Sequence, residues 1–421
     1  MGCNSVPPGE ENLGDGLVLH AVRDEHDAER FMALNEAVTG EGAICDRLLH
    51  HHPETGYGDY LIVEDRGTGQ AVSTTCLIPW RCCYEDVVLN VAMLEMVVTH
   101  PAYRRRGLVR AQVRRFHHMV ARRGFDLCII QGIPYYYRQY GYVYALDHAS
   151  GGLLPARSIP GAPPGVISPY RLRPATPDDA ETLAGLYREA MAGYQVYVHR
   201  PLDYWRYLLR WGRYPVRWVE DVRTGRAVGY ACVSLRPDGR RAWVRESSAT
   251  SHEVGMAILQ RLKAEACGEI QLDGGAADTL VRLARDLGSR LRACDQWLLR
   301  IPDVARFLAR SGLALERRLA RSGCPGLTGD LCVNLFREAI VLHFEAGRLL
   351  EAEPAGFVDA SLGADGGDLC IPPQAFVRLV FGYRSLDELR DAWPDIVVKP
   401  GSRDVLEALF PRLSAHIHMP Y

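Results

Sequence analysis

A cluster of arginines lies beside a single glycine in the segment HPAYRRRGLVRAQVRRF, residues 100–116. Arginine guanidinium groups bind phosphate oxygens in pairs, and a glycine lets the backbone approach a phosphate closely because it has no Cβ. Three uses fit such a cluster: a solvated basic surface, a contact with nucleic acid, or a binding turn for a phosphorylated cofactor. The choice among them depends on the elements that flank the cluster.

A buried strand is predicted before the cluster and an amphipathic helix after it. Residues 87–98 read VVLNVAMLEMVV, an apolar run typical of a buried strand. The apolar residues Val109, Val113, Phe116 and Val120 then recur at helical spacing. A helix N-terminus has unpaired N–H groups and a partial positive charge, so the turn that precedes it binds anions readily. The sequence therefore predicts an anion site between this strand and this helix, with the later arginines on a solvated face.

The overall composition excludes several other classes of function. The chain has 421 residues and a net charge of −2, which disfavours nucleic acid and an anionic membrane as partners. It has no nucleotide P-loop pattern and no apolar run of about 18 residues for a membrane span. Twelve cysteines without a C-x-x-C pair, and no signal peptide, predict reduced thiols in the cytoplasm. No metal site is predicted, since the adjacent histidines at 50–52 lack partners at ligand spacing.

The first 300 residues contain a faint duplication. The segment 63–72, VEDRGTGQAV, recurs as VEDVRTGRAV at 219–228, and a shorter match links residues 27–34 to 179–186. Each copy reads as strand, helix, helix and hairpin, followed by a parallel strand–helix–strand crossover. The counterpart of the arginine turn in the second copy, residues 242–262, has no arginine–glycine turn. We therefore expect an anion site in the first copy alone.

The domain organisation predicted from these patterns has five parts. The fold class is α/β, with two copies of one fold built on mixed central sheets and a smaller α+β domain after them. In the last part, residues 337–353 read as a strand pair and residues 373–393 as helices with a turn at Gly382. The predicted parts are a flexible N-terminus (1–16), a first domain (17–150), a Gly- and Pro-rich linker (151–169), a degenerate second copy (170–300) and the third domain (301–421).

The arginine turn resembles motif A of the GNAT superfamily of N-acetyltransferases, whose Arg/Gln-x-x-Gly-x-Gly/Ala turn holds the pyrophosphate of acetyl-CoA. Arg104, Gly107 and Val109 fall on this pattern, with valine as a departure at the last position. Two GNAT-like copies, a third domain similar to sterol-carrier folds and the tyrosine-rich segment IPYYYRQYGYVYAL together resemble the Eis (enhanced intracellular survival) group of aminoglycoside acetyltransferases. The resemblance covers the whole chain in architecture and is motif-specific between about residues 90 and 145.

The resemblance implies an acetyl-CoA site in the first copy. Backbone groups of the strand end would hold the pantetheine arm and polarise the thioester, the arginine turn would hold the pyrophosphate, and the start of the tyrosine-rich segment would complete the wall. The residues so assigned are Val97, Val98, Thr99, Arg104, Arg105, Arg106, Gly107, Leu108, Val109, Arg110, Gly132 and Ile133.

Acetyl transfer to an amine also needs a general acid and a general base. By resemblance, Tyr137 is the acid that protonates the coenzyme thiolate, and a phenol is protonated at neutral pH. Two candidates for the base stay open. One is the terminal carboxylate of Tyr421, which reaches the active site in the Eis group, and the other is Glu95, a carboxylate on an otherwise apolar strand.

The hypothesis from sequence is an acetyl-CoA-dependent N-acetyltransferase that acts on a primary amine of a small polycation or antibiotic. Direct transfer in a ternary complex is expected, because no Cys–His pair is indicated for a covalent intermediate. The alternatives are a protein lysine as acceptor, another acyl-CoA as donor, and a coenzyme or ligand sensor without turnover. The resemblance also implies a homo-oligomer.

Overall fold

Three β-sheets of ten, six and five strands organise the chain in the computed structural model. The structure describes residues 9–147, 151–161, 165, 167–266, 268–275, 277–290, 296–360 and 366–418. The predicted fold class, α/β with mixed sheets, is confirmed. Across the described residues, we find no helix with the length and apolar character that a membrane crossing requires.

The first copy supplies most of the ten-stranded sheet. Its elements are β1 (Glu11–Gly14), β2 (Leu17–Ala21), α1 (Glu25–Thr39), α2 (Gly42–His51), β3 (Tyr60–Asp65), β4 (Gln70–Tyr84), β5 (Val87–Thr99), α3 (Leu108–Arg123), β6 (Leu127–Ile130) and β7 (Val143–Asp147). The predicted buried strand and amphipathic helix are confirmed as β5 and α3. In α3 the stripe of Val113, Phe116 and Val120 is buried, and Gly124 ends the helix in a left-handed conformation.

The N-terminal prediction needs a correction. Part of the segment 1–16 expected to be flexible is strand β1, which pairs antiparallel with β2. The carboxylate of Glu10 also binds Arg23 at 3.0 Å and Arg66 at 2.5 Å. Backbone pairing and ion pairs therefore fix this strand, which its Gly- and acid-rich composition did not indicate. Residues 1–8 lie outside the described part of the chain.

The second copy follows the order of elements of the first, with one additional strand between its first two helices and one additional helix before its last strand. Its elements are β8 (Gly152–Pro155), β9 (Tyr170–Pro174), α4 (Ala180–Met191), β10 (Val196–His199), α5 (Leu202–Trp211), β11 (Val216–Asp221), β12 (Arg226–Leu235), β13 (Arg241–Ala249), α6 (His252–Glu265), β14 (Glu269–Leu272), α7 (Thr279–Asp286) and β15 (Gln296–Arg300). Strands β9, β11, β12, β13 and β14 form the six-stranded sheet with β8.

The two copies exchange a strand, which differs from the predicted boundaries. Strand β8 lies inside the segment 151–169 expected to be a linker, yet it pairs with β14 of the second copy. Strand β15 lies before the boundary expected at residue 300, yet it pairs with β6 and β7 of the first copy. The apolar side chains of Leu154 and Leu298 are fully buried in these positions. Burial of apolar surface thus places each strand in the other copy's sheet.

The third part is α+β. Its elements are α8 (Val304–Arg310), α9 (Gly312–Ala320), β16 (Gly329–Asn334), β17 (Ala339–Glu345), β18 (Arg348–Gly356), β19 (Leu369–Cys370), α10 (Pro373–Val380), α11 (Leu386–Ala392), β20 (Val397–Val398), α12 (Arg403–Leu409) and β21 (Ala415–His416). The predicted strand pair is confirmed as β17 and β18, and the predicted helices as α10 and α11, with Gly382 left-handed between them. Strand β21 then leaves this part and pairs with β10, which pairs with β4.

Candidate active site

A cleft opens where the parallel strands β5 and β6 separate. The ladder joins residues 91–93 of β5 to residues 127–129 of β6, and β5 then continues to Thr99 while β6 ends at Ile130. A bulge at Met96, whose φ is 51°, shifts the register of β5 against β4 at the same point. The edge of β5 beyond the ladder therefore faces the cleft, at the carboxyl ends of the parallel strands where ligands of α/β proteins bind.

The arginine turn lies between this strand end and the start of α3. A short 3-10 turn, Pro101–Tyr103, leads into residues 104–107, where Arg105 and Gly107 adopt left-handed φ values of 64° and 78°. Gly107 is the N-cap of α3 and has no side chain with which to cap the first-turn amides. A Cβ at Gly107 would meet no atom within 4 Å, so the backbone angle rather than space favours glycine here.

A cavity of about 490 Å³ lies against this turn. Ten residues assigned from the sequence line it: Val97, Thr99, Arg104, Arg105, Gly107, Leu108, Val109, Arg110, Ile133 and Tyr137. Four others predicted from the sequence do not line it. Val98 is buried and turned away by the alternation of the strand, and Arg106 lies over the ring of Tyr103 at 5.0 Å. Gly132 lies behind Tyr137, and Glu95 is farther back on β5.

Four lining residues were missed by the sequence reasoning, namely Tyr103, Tyr136, Gln139 and Tyr140. Three of them belong to the tyrosine-rich segment, which forms the 3-10 helix Tyr136–Tyr140. The tyrosine-rich composition of this segment already indicated that it belongs to the site. The sequence did not indicate which of its side chains face the cavity, because a short 3-10 helix has too few residues to show a periodic pattern.

Tyr137 is held by its burial and by Gly132. Its side chain is 6% exposed, and a Cβ placed on Gly132 would lie 2.2 Å from Cδ2 and Cε2 of the Tyr137 ring. Glycine at position 132 therefore lets the ring pack directly against the backbone. Burial, with a further contribution from the charge of Glu95, raises the pKa of Tyr137 above its ordinary value. The phenol is protonated at neutral pH and can donate a proton into the cavity.

Glu95 lies two residues beyond the last parallel pair of β5, opposite Cys76 on β4. Its backbone carbonyl accepts a hydrogen bond from Thr75 Oγ1 at 3.1 Å, and its side chain is half-buried. Burial and the charge of Glu41, with smaller contributions from Glu95 and Glu36, raise the pKa of the Cys45 thiol to about 12.

The other candidate base, Tyr421, lies outside the described residues, which end at His418. The structure does place the residues up to His418, which precede it in the chain. The indole Nε1 of Trp297 on β15 donates to the carbonyl of Ile417 at 3.3 Å. Since Leu298 pairs with Ile130, Trp297 lies one step beyond the carboxyl end of β6. The C-terminal segment therefore reaches the edge of the sheet at which the cleft opens.

The second copy has the same strand separation without the turn. Residues 241–244 of β13 pair with residues 269–272 of β14 before the strands part. Only Thr250 and Ser251 separate β13 from α6, and the Ser251 side chain accepts a hydrogen bond from the Val254 N–H, which caps the helix. The first copy has eight residues at this point, including the arginines. Among the described residues, the connection in the second copy is therefore too short to contain a turn like that of residues 100–107.

The three adjacent histidines each have a structural partner. His50 bonds to Asp46 at 2.9 Å, His51 stacks on Trp211 with ring centroids 3.7 Å apart, and His52 is buried against aromatic rings. In the described ranges no three or more His, Cys, Asp or Glu side chains are grouped to hold a metal ion.

The sequence of residues 24–145 matches the acetyltransferase (GNAT) domain family. These residues form a GNAT domain. The match confirms the predicted class of enzyme, an N-acetyltransferase, and the GNAT domain contains the arginine turn, Glu95 and Tyr137. The full chain matches no curated protein sequence.

Several solved structures share the fold over nearly the whole chain. A GCN5-related N-acetyltransferase from Anabaena variabilis is 15% identical, with 95% of this chain and 99% of that chain covered at a TM-score of 0.67. A probable N-acyltransferase from Enterococcus faecalis is 14% identical, with 96% and 100% covered at 0.70. Eis1 from Mycobacterium abscessus is 16% identical, with 96% and 100% covered at 0.63. At these identities the likeness concerns the fold, which extends well beyond the GNAT domain.

Proposed function

We propose that the protein transfers an acetyl group from acetyl-CoA to a primary amine of a small polycation, such as an aminoglycoside-type antibiotic, in a direct ternary complex. The protein would be an Eis-like enzyme with a sterol-carrier-like third domain. One observation carries the proposal: the arginine turn at the start of α3 and the protonated phenol of Tyr137 line the same cavity, where β5 separates from β6.

The residues that line the cavity support acetyl-CoA as the donor. First-turn amides of α3 with the side chains of Arg104 and Arg105 would bind the pyrophosphate through charge-assisted hydrogen bonds. The backbone of Val97, Val98 and Thr99, on the edge of β5 beyond the ladder, would bind the amides of the pantetheine arm as a neighbouring strand does. No metal is needed for either contact.

The transfer itself uses three groups of the chain. A carboxylate removes a proton from the substrate ammonium, and the amine nitrogen then attacks the carbonyl carbon of the thioester. Backbone N–H groups of β5 stabilise the negative charge on the carbonyl oxygen. When the carbon–sulfur bond breaks, Tyr137 Oη donates its proton to the leaving sulfur. The attacking nitrogen loses its second proton as the amide forms, and this proton restores the Tyr137 phenol, while the base releases the first proton to solvent. The products are an acetylated amine and free coenzyme thiol.

The base is either Glu95 or the Tyr421 carboxylate. Glu95 is on the strand that lines the cleft and acts electrostatically on Tyr137. The C-terminal segment approaches the same sheet edge through the contact of Ile417 with Trp297. A carboxylate base at either position favours a cationic acceptor over an anionic one.

Incubation with acetyl-CoA and a panel of amines tests the proposal, with free thiol as the readout. The panel contains an aminoglycoside, a linear polyamine and a lysine peptide. We expect thiol release with the small polycations and little with the peptide. Faster release with the peptide would move the acceptor to protein lysine, and release only with a longer acyl-CoA would change the donor. Tight coenzyme binding without thiol release from any pair would indicate a sensor.

Compartment and assembly complete the proposal. The cysteines of the described residues are free thiols, as expected of a protein in the reducing cytoplasm.

Exposed apolar side chains lie around the edge strand β18, at Leu313, Leu350 and Phe357. Such a patch favours association between copies of the chain. Light scattering should therefore give a mass above that of one chain.

A further inference from the structure

A second cavity lies in the second copy, at the place that corresponds to the cleft of the first. Strands β13 and β14 part after the pair Val244–Leu272, as β5 and β6 part after the pair Met93–Ile129. The end of α4, the end of β13, the start of α7 and strand β21 enclose a volume of about 380 Å³ at this point. We call this cavity the second cleft. Its size is that of a site for a small organic molecule.

The two clefts differ in the charge of their walls. Arginines line the first cleft, whereas none of the described residues that line the second is an arginine or a lysine. The second cleft has two carboxylates instead, those of Glu189 and Asp278. The neighbouring guanidinium of Arg282 donates to Thr279 Oγ1 at 3.3 Å rather than to either carboxylate. The second cleft is therefore acidic, which favours a cationic ligand over an anionic one.

Asp278 is fixed where α7 begins. Its Oδ1 atom accepts the N–H groups of Leu280 and Val281 at 2.7 and 3.2 Å, and its Oδ2 atom accepts the Ser247 hydroxyl at 2.9 Å. The residue is still partly accessible, and burial raises the pKa of its carboxyl group above the ordinary value. A cation in the cleft would stabilise the charged carboxylate through a further charge-assisted hydrogen bond to Oδ2.

A buried histidine gives a second, independent sign of a ligand. His416 lines the same cavity and is only 3% exposed. Its Nε2 atom lies 3.5 Å from Glu246 Oε2, and its Nδ1 atom has no hydrogen-bond partner among the described residues. With the proton on Nε2, which faces the carboxylate, Nδ1 is an acceptor. A buried polar atom without a partner costs free energy, so a donor on a ligand would be stabilised there.

Hydroxyl groups of the β13 edge complete the polar wall. Ser248 Oγ donates to the carbonyl of Leu186 at 3.4 Å, and Thr250 Oγ1 donates to the carbonyl of Val228 at 2.8 Å. Each hydroxyl hydrogen is thus engaged, and each oxygen retains lone pairs that accept. Carboxylate, imidazole and hydroxyl acceptors together match a ligand that is rich in donors.

We propose that the second cleft binds a small organic ammonium ion, with the ammonium group on Asp278 Oδ2 and a second donor of the ligand on His416 Nδ1. The duplication thereby gives two clefts of opposite charge, one with arginines for a phosphorylated coenzyme and one with carboxylates for a cation. The binding requires neither coenzyme nor turnover, so it can be tested separately from the proposed function.

Calorimetric titration of the full chain with 1,4-diaminobutane, without coenzyme, measures this binding. The neutral and anionic analogues are 1,4-butanediol and succinate. D278N removes the charge and keeps the helix cap, because asparagine caps a helix as well as aspartate does. A190L fills part of the cavity from α4 without a change of charge. D303N is the matched control, since Asp303 caps α8 in the third part of the chain by accepting the Arg306 N–H.

We expect the wild type and D303N to bind the diamine with the same Kd, the diol to bind more weakly, and succinate not to bind. D278N and A190L should each raise the Kd of the diamine about tenfold or more, because one removes the charge and the other the space. Amide hydrogen exchange locates the site. The diamine should slow the exchange of residues 247–250 and 278–281 in the wild type and leave it unchanged in D278N.

Four results would overturn the inference: no heat of binding with the diamine, an equal Kd in D278N and the wild type, succinate binding as tight as that of the diamine, or slowed exchange at residues 95–99 in place of residues 247–250. In the last case the cation binds as an acceptor in the first cleft, and acetyl transfer stands. Absence of thiol release with every amine, combined with diamine binding that D278N abolishes, would instead contradict the proposed function and leave the second cleft as a cation site.

Discussion

Substitution of Gly132 by alanine tests whether the position of Tyr137 matters for transfer. The new Cβ would lie 2.2 Å from two carbons of the Tyr137 ring, whereas non-bonded carbons pack at about 3.5–4.0 Å. The ring must therefore move by more than about 1 Å. The backbone of Gly132 is outside the left-handed region, so alanine causes no strain of its own there.

A displacement of this size costs about 10²-fold in rate when it affects a positioned catalytic group, or about 2.7 kcal/mol in the barrier. Overpacking should also destabilise the fold by about 1–3 kcal/mol. We expect G132A to lower kcat about 10²-fold and to leave the affinity for coenzyme nearly unchanged, because the arginine turn is not altered. Thiol-release kinetics, calorimetric titration with coenzyme and thermal melts measure the three quantities.

Gly185 provides the matched control. It lies within α4, and a Cβ there would meet no atom within 4 Å. G185A should keep the wild-type kcat and stabilise the fold by up to about 1 kcal/mol, because alanine favours the helix. A kcat for G132A within about twofold of the wild type would refute the reasoning, since Tyr137 would then act without a fixed position or would not act at all.

Three further predictions follow from the site and its surroundings. Y137F should lower kcat about 10²-fold or more with unchanged coenzyme affinity, and an unchanged rate would remove its role as the acid. R104A should raise the Kd of acetyl-CoA about tenfold while R114A, a change on the outer face of α3, leaves it unchanged; equal effects of the two would contradict the turn as the pyrophosphate site. Burial lowers the pKa of His52 to about 4, and its Nδ1 accepts the Glu54 N–H, so the folded state requires the neutral ring. The unfolded chain is protonated first as the pH falls below about 6.5, and up to about 3 kcal/mol of stability should be lost between pH 6.5 and 4. Thermal melts of H52N should show a weaker dependence on pH in that window, and an equal dependence would contradict this assignment.

The local part of the candidate site could be predicted from the sequence. Strand β5 and helix α3 have strong apolar patterns, and the turn between them has an arginine–glycine composition with a direct physical meaning. Their order along the chain was enough to place an anion site at the start of α3. The hairpin β17–β18 and the helices around Gly382 were predictable for the same reason, since their patterns are continuous and short-range.

The long-range part could not be predicted. Strand β8 lies in a Gly- and Pro-rich segment, and its partner β14 is more than 100 residues away. The contact of Arg200 with His418 joins residues 218 positions apart, and no local pattern indicates it. Glu95 on β5 and Glu246 on β13 each lie two residues beyond the last parallel pair of their strand, and this equivalence appears only when the strand registers of both copies are compared. Tertiary pairing, rather than local propensity, decides all three features.

A crystal structure with acetyl-CoA bound tests the central claim most directly, namely that the first cleft is the acetyl-transfer site. The account predicts one coenzyme per chain, with its pyrophosphate on the first-turn amides of α3 and on Arg104. The thioester sulfur should lie within hydrogen-bond distance of Tyr137 Oη, and the carbonyl should face the edge of β5. Coenzyme bound in the second copy, or a sulfur atom directed away from Tyr137, would contradict the account.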